Sequence, residues 1–213
     1  CALPIFNGNN DATDEEKAEA RKLVEKAKIE AKSNITNSDT EREVNGAKTN
    51  GLEKINNIQP STQTKTNAKQ EINDKAQEQL IQINNTPDAT EEEKQEATNR
   101  VNAGLAQAIQ NINNAHSTQE VNESKTNSIA TIKSVQPNVI KKPTAINSLT
   151  QEANNQKTLI GNDGNATDDE KEAAKQLVTQ KLNEQIQKIH ESTQDNQVDN
   201  VKAQAITAIK LIN

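Results

Sequence analysis

The apolar residues of this chain recur in stripes that an α-helix would place on one face. One stripe advances in steps of four, seven and four residues, which fits a period of 3.6 and predicts a helix of about 22–24 residues, roughly 35 Å long. We call this the first-type helix. Its stripes are Ala20, Val24, Ala31 and Ile35, then Ala97, Val101, Ala108 and Ile112, then Ala174, Val178 and Ile189, with Gln185 breaking the pattern.

Two further stripes follow the first. The second-type helix starts near Thr40 or Ser117 and is expected to end at Pro60 or Pro137. Small residues at the middle of its face should let neighbouring helices approach closely. Its stripes are Val44, Ala47, Gly51, Ile55 and Ile58, then Val121, Ser124, Ser128, Ile132 and Val135, then Val198, Val201, Ala205, Ile209 and Ile212.

The third-type helix has the least regular stripe. Its apolar positions are Ala68, Ile72, Ala76, Leu80 and Ile83, then Ala145, Leu149, Ala153 and Ile160. Phe6 lies 77 residues before Ile83. We therefore expect Phe6 to be the last core residue of a preceding third-type helix.

All three stripes belong to a repeat of 77 residues. The segment Asp11–Lys17 returns as Asp88–Lys94 and as Asn165–Lys171, with no insertion between copies. A fixed period of this length indicates a repeat array. The predicted organisation is a leader with the end of a preceding module at 1–11, complete modules at 12–88 and 89–165, and a truncated module with two helices at 166–213. The chain is expected to be part of a longer array.

Each module begins with a capping box. Threonine is followed three residues later by glutamate at Thr13, Thr90 and Thr167, so that each side chain satisfies the other's backbone amide. The acidic runs 14–16 and 91–93 could also be ligands of a hard cation. Capping is the favoured interpretation, because it explains both their position and their threonine partner.

The odd number of helices per module determines how modules follow one another. Three helices that run up, down and up leave the chain at the end opposite to its entrance. The predicted fold is therefore all-α, with tandem three-helix bundles stacked end to end into an elongated rod and contacts only between neighbours.

Composition narrows the function. Only 31% of residues are hydrophobic, the mean hydropathy is −0.97, and Phe6 is the sole aromatic residue. Disorder is the alternative for so polar a chain, but the helical spacing of its apolar residues favours small aliphatic cores. The net charge is −6. The sequence has neither a basic stripe, which would suggest binding to nucleic acid, nor a basic amphipathic helix, which would suggest binding to an anionic membrane.

The remaining motifs predict no catalytic, cofactor or metal residues, and the chain is not expected to be an enzyme. Residues 162–165 resemble a calcium loop, but the required ligand positions hold Leu159 and Gly161. His116 and His190 occupy different repeat positions and are expected on the surface. The basic patch 139–143 is interpreted as a solvated turn, with a binding site as the alternative.

Cys1, the only cysteine, stands in a leader that does not fit the repeat. It is interpreted as a boundary residue, and a lipidated N-terminal cysteine is the alternative. With no second cysteine, no disulfide is possible within the chain.

Several recurring segments resemble the repeats of giant staphylococcal surface proteins. The segments are Ala89–Lys94, Ile112–Asn114, Val121–Asn127 and Val135–Pro137, and the resemblance covers residues 12–213. The third module departs from it at 197–203. Similar repeats occur in extracellular matrix-binding protein homologues and in surface proteins associated with methicillin resistance and biofilm accumulation.

The resemblance implies an extracellular protein attached to the cell wall of a Gram-positive bacterium. It implies roles in adhesion, matrix binding or accumulation of cells, with the repeats acting as a stalk. The alternative is a binding module for host fibronectin or albumin. Partners are then host matrix or plasma proteins, or the same protein on neighbouring cells, and no binding residues are implied.

Overall fold

The computed structural model describes residues 6–213, and these contain α-helices and no strand. We number the helices α1 to α8 after a helical turn at Phe6 and Asn7. They are Asp14–Thr36 (α1), Glu41–Asn56 (α2), Gln63–Asn84 (α3), Glu91–Asn114 (α4), Thr118–Lys133 (α5), Lys141–Gly161 (α6), Asp168–Glu191 (α7) and Asp195–Lys210 (α8). The predicted all-α class is confirmed. The interpretations of Cys1 and the leader up to Ile5 lie outside the described residues.

Local sequence signals set the helix bounds. The first-type helices α1, α4 and α7 have 23, 24 and 24 residues, as predicted. Their three capping boxes form, with Thr13 Oγ1 accepting from the Glu16 amide at 3.3 Å and Glu16 Oε2 accepting from the Thr13 amide at 2.9 Å. The second-type helices α2 and α5 end before the prolines that were expected to end them. Pro60 and Pro137 are instead buried in the following segments.

Contacts divide the chain into two units, Cys1–Gln79 with Val101–Ser134, and Leu80–Arg100 with Val135–Asn213. In the second unit, α6, α7 and α8 each pack against the other two and enclose one aliphatic core. This bundle combines one helix from before residue 166 with the two helices after it, so it crosses the predicted module boundary. The core residues are Ala145, Leu149, Ala153, Ile160, Val178, Leu182, Ile189, Val198, Ala205 and Ile209.

In the first unit, α1 packs along α2. Phe6 is 1% exposed and contacts Ala20 and Val24, which confirms its predicted place in a core. A Cβ atom built on Gly51 would lie 2.5 Å from Ala31 Cβ, so the predicted close approach of these helices is also confirmed.

The other helices of the first unit also contact one another. A 2.7 Å ion pair joins Lys125 of α5 to Glu71 of α3, and Ile132 of α5 lies against Gly104 of α4.

Three glutamines are buried in the helical cores, although the predicted apolar stripes left them out or treated them as interruptions. Gln79 is buried beside Leu80, which is only half-buried. Its counterpart Gln156 donates from Nε2 to the carbonyl of Ile212 at 2.7 Å, and Gln185 is buried on the core face of α7. Hydrogen bonding makes such burial tolerable, so polarity alone misassigned these positions.

Candidate functional site at the helix joints

Two polar clusters, one inside each unit, bring the ends of several helices together. Joint 1 consists of Thr13–Glu16, Thr64, Lys65, Asn113 and His116–Thr118 in the first unit. Joint 2 consists of the residues 77 positions further on in the second unit, namely Thr90–Glu93, Lys141, Lys142, His190 and Thr193–Asp195.

The glutamate of the capping box caps a second helix in each joint. Glu16 Oε1 accepts hydrogen bonds from the amide and the hydroxyl of Thr64 at 3.0 and 2.9 Å. Glu93 Oε1 accepts from the amides of Ile140 and Lys141 at 2.8 and 2.9 Å. These amides open α3 and α6, where a helix has no internal partner for them. Because Ile140 provides no side-chain cap for α6, Glu93 supplies it from α4.

These bonds favour the ionised form of both carboxyl groups. Burial alone would raise the pKa of Glu16, but hydrogen bonds from Thr13, Thr64 and Ser61 outweigh it and leave the pKa below its usual value. The pKa of Glu93 is lowered in the same way, since hydrogen bonds from Ile140, Thr90 and Lys141 outweigh its burial. Both glutamates therefore contribute to stability as anions.

The preceding acidic residues contact a third helix start. Glu15 Oε2 accepts from the amide and hydroxyl of Thr118 at 2.9 and 3.0 Å, and Glu92 Oε2 accepts from the Asp195 amide at 3.0 Å. The hydrogen bond from the Thr118 amide lowers the pKa of Glu15. Each acidic run therefore lies where three helix N-termini meet, and the positive ends of the three helix dipoles favour negative charge there.

A main-chain bond adds to each joint. The amide of Asp14 donates to the carbonyl of His116 at 2.8 Å, and the amide of Glu91 donates to the carbonyl of Thr193 at the same distance. The first residue of one first-type helix is thus hydrogen-bonded to a residue that follows the next first-type helix along the chain.

A buried lysine lies at the centre of each joint. Lys65 is 2% exposed, and its Nζ donates to the carbonyls of Asn10 and Asn113 at 2.8 and 2.9 Å. Lys142 is 4% exposed and donates to the carbonyl of His190 at 2.6 Å. Burial lowers the pKa of Lys65, and the nearby charges of Lys17 and Lys69 add to this effect. An ammonium group at carbonyls near a helix C-terminus also opposes the negative end of the dipole.

The interpretation of segment 139–143 as a solvated turn was therefore wrong for Lys142. Its neighbour Lys141 is also engaged, since its Nζ lies 2.7 Å from Asp199 Oδ2. The two lysines contact other helices of the same unit. They therefore join helices within the unit.

The other candidate residues have local roles. His116 and His190 are exposed, as predicted. His190 Nδ1 lies 2.7 Å from Oδ1 of Asp88, whose φ of 59° is in the left-handed region that aspartate tolerates. The turn at 162–165 contains a local bond from the Asn165 amide to Asp163 Oδ1. Within residues 6–213, no cluster of potential metal ligands and no helix able to cross a membrane is found.

The third copy of the motif, at Thr167–Glu170, forms a capping box for its own helix α7. Thr167 and Glu170 are both exposed. A cleft of 680 Å³ lies beside them, lined in part by Gln156, Ile160 and Asn213.

The joints were missed from the sequence, although one signal was present. Lys65 and Lys142 lie 77 residues apart, five residues after Pro60 and Pro137. A lysine that repeats in phase with a capping box, at the start of a helix rather than at its end, departs from the dipole rule. That departure from the rule could have indicated that the lysine contacts another helix.

Comparison with known families matches three consecutive segments of the chain to a domain family. The model of the Domain of Unknown Function (DUF1542) matches residues 5–63, 64–140 and 141–213. The last two matched segments start 77 residues apart at third-type helices, whereas the predicted modules start at first-type helices. No curated protein and no solved structure matches the chain. With three tandem matches that cover nearly all of its length, the chain belongs to the DUF1542 family.

Proposed function

We propose that this chain is a repeat segment of a bacterial cell-surface adhesin, in which it serves as a helical stalk or spacer for adhesion or biofilm accumulation. The observation that supports this most is the recurrence of joints 1 and 2 at the repeat period. The charged side chains of the repeated motif bind helix ends of the same chain, which is the arrangement that a spacer needs.

The resemblance to staphylococcal surface proteins supports the proposed location, outside the cell and attached to its wall. Neighbouring cells would carry the same protein, and host matrix or plasma proteins would be its other partners. Length is then the property that matters, because each added repeat carries an adhesive region further from the wall.

Small-angle X-ray scattering on the chain tests the stalk. Bundles about 35 Å long, stacked end to end, give a largest dimension of about 100 Å. A compact particle would contradict the proposal.

Binding measurements with fibronectin and albumin test the alternative, in which each repeat is a binding module. The exposed leucines Leu159, Leu177 and Leu211 favour it, although aromatic anchors are usual at strong interfaces and Phe6 is buried. Saturable binding of either host protein would establish that the repeats are binding modules. Absence of binding would favour the proposal that they act as a spacer.

A further inference from the structure

The paired helices α1 and α2 present a partly open apolar face. Ile35 and Val44 are half-buried there, and α2 has no buried residue. The corresponding residues in the next two repeats are fully covered: Ile112, Val121, Ile189 and Val198 are all 0% exposed.

The second unit shows what covers such a face. There the third-type helix α6 packs on α7 and α8 and places Ala145, Leu149 and Ala153 in their shared core. The counterpart of Ile160, 154 residues earlier, is Phe6. Accordingly, Phe6 covers Ala20 and Val24 near the start of α1, and the face further along α1 and α2 is the open part.

We propose that this open face is a docking site for a third-type helix with the sequence of α3, supplied by another copy of the repeat. In the first unit α3 packs in this manner, with Ile72 fully buried and Glu71 paired to Lys125 of α5 at 2.7 Å. Lys48 of α2 lies 77 residues before Lys125 and is exposed. An incoming α3 helix would therefore bring both the apolar stripe that fits the face and a carboxylate for Lys48.

The shape of the face suits this occupant. Gly51 and Ala31 bring the two helices close together, and Ala47 is small, so the face has room for a helix with one apolar residue per turn. The third-type stripe alternates alanine with isoleucine or leucine, which combines close approach with larger side chains that fill the groove.

A peptide of residues 61–77 with blocked ends, titrated into the full chain, tests the proposal by fluorescence anisotropy. It stops before the counterparts of residue 1 onwards, so it does not compete with Phe6 for the place against Ala20 and Val24. We expect saturable binding of one peptide per chain. Ile72→Glu in the peptide should weaken binding about tenfold to a hundredfold, because it removes a fully buried side chain. Asn67→Glu is the matched control, since Asn67 is exposed in α3, and it should change binding little.

A charge exchange tests the orientation of the peptide. Lys48→Glu in the chain should weaken binding about twofold to fivefold, as expected for an exposed ion pair. A Glu71→Lys peptide should restore the lost affinity on that variant and bind the unaltered chain more weakly. A general loss of folding in the variant could not produce this rescue.

Hydrogen exchange locates the docked peptide. Protection should rise in residues 31–51 and stay unchanged in α7 and α8. Absence of saturable binding, equal effects of the Ile72 and Asn67 substitutions, protection confined to α7 and α8, or a failed charge exchange would each overturn the proposal. So would a dimer of the chain that excess peptide does not dissociate, because the face would then hold a different occupant.

Discussion

Joint 2 and the motif at Glu170 contain the same capping box in two different environments. Thr90 is 0% exposed and Glu93 caps α6 as well as α4, whereas Thr167 and Glu170 are exposed and cap α7 alone. In both pairs the threonine hydroxyl accepts from the glutamate amide and the glutamate carboxylate accepts from the threonine amide. The motif therefore starts a helix by itself, and in joint 2 it also caps a second helix, because a segment about 48 residues downstream reaches the second carboxylate oxygen of Glu93.

Replacing Glu93 and Glu170 by alanine, one at a time, should distinguish the role of capping one helix from the role of capping two, with the largest expected effect. Glu93→Ala removes an acceptor from the amides of Ile140 and Lys141 at the start of α6 and from the Thr90 amide. We expect it to lower the free energy of unfolding by about 2 kcal/mol. Glu170→Ala should cost only a small part of that, since it removes a local cap. Urea unfolding followed by circular dichroism measures both, and equal losses would show that the second oxygen adds no stability.

The buried lysine provides the second contrast. Lys142→Met keeps the length of the side chain but removes the donor to the His190 carbonyl, and we expect a loss of about 1–2 kcal/mol. Lys188→Met on the exposed surface of α7 is the control and should change stability by less than about 0.5 kcal/mol. A gain in stability for Lys142→Met would mean that desolvation of the ammonium outweighs its hydrogen bonds.

Acidification should reduce the contribution of Glu93. Its pKa in the folded chain lies below the unfolded value of about 4.3, because hydrogen bonds from Ile140, Thr90 and Lys141 outweigh burial. Its stabilisation is therefore present above about pH 4.3 and is lost as the pH falls through the folded pKa.

The variant Glu93→Gln isolates that contribution. It should be less stable than the unaltered chain at pH 7, and the difference should shrink progressively below about pH 4.3. Urea midpoints across this range measure it, and a difference independent of pH would contradict an ionised cap.

A comparison of the two joints yields the smallest expected change. Joint 1 has Thr118 where joint 2 has Asp195, whose buried Oδ1 has no hydrogen-bond partner. Asp195→Thr should add a hydroxyl donor for Glu92 and remove a like charge, raising stability by up to about 1 kcal/mol. Asp169→Thr on the exposed start of α7 is the control. A loss of stability at 195 would show that the helix dipole favours the aspartate more than the hydroxyl bond favours threonine.

The sequence predicted those parts of the fold that depend on neighbouring residues. Capping boxes, helix lengths and the core position of Phe6 follow from spacings of three to seven residues and from the repeat period. The fit of Gly51 against Ala31 was also accessible, because a small residue recurs at that position of the second-type helix.

The joints depend on contacts that no local pattern contains. Glu16 meets Thr64 and Lys65 meets Asn113 across 48 residues, and only the folded path of the chain brings them together. The burial of Lys142 was misjudged for the same reason, since adjacent lysines near a proline are typical of solvated turns. Gln79 and Gln156 show a related limit, because a polar side chain can complete a core when a hydrogen-bond partner is present.

The contacts of Lys65 have a consequence for how such a chain can change in length. One ammonium group reaches a carbonyl 55 residues before it and another 48 residues after it. A single inserted residue in an intervening helix would turn everything beyond it by about 100° and separate those atoms. Gain or loss of a whole 77-residue repeat preserves every such distance. We therefore expect length variants of such a chain to differ by whole repeats, with smaller insertions confined to turns outside the joints.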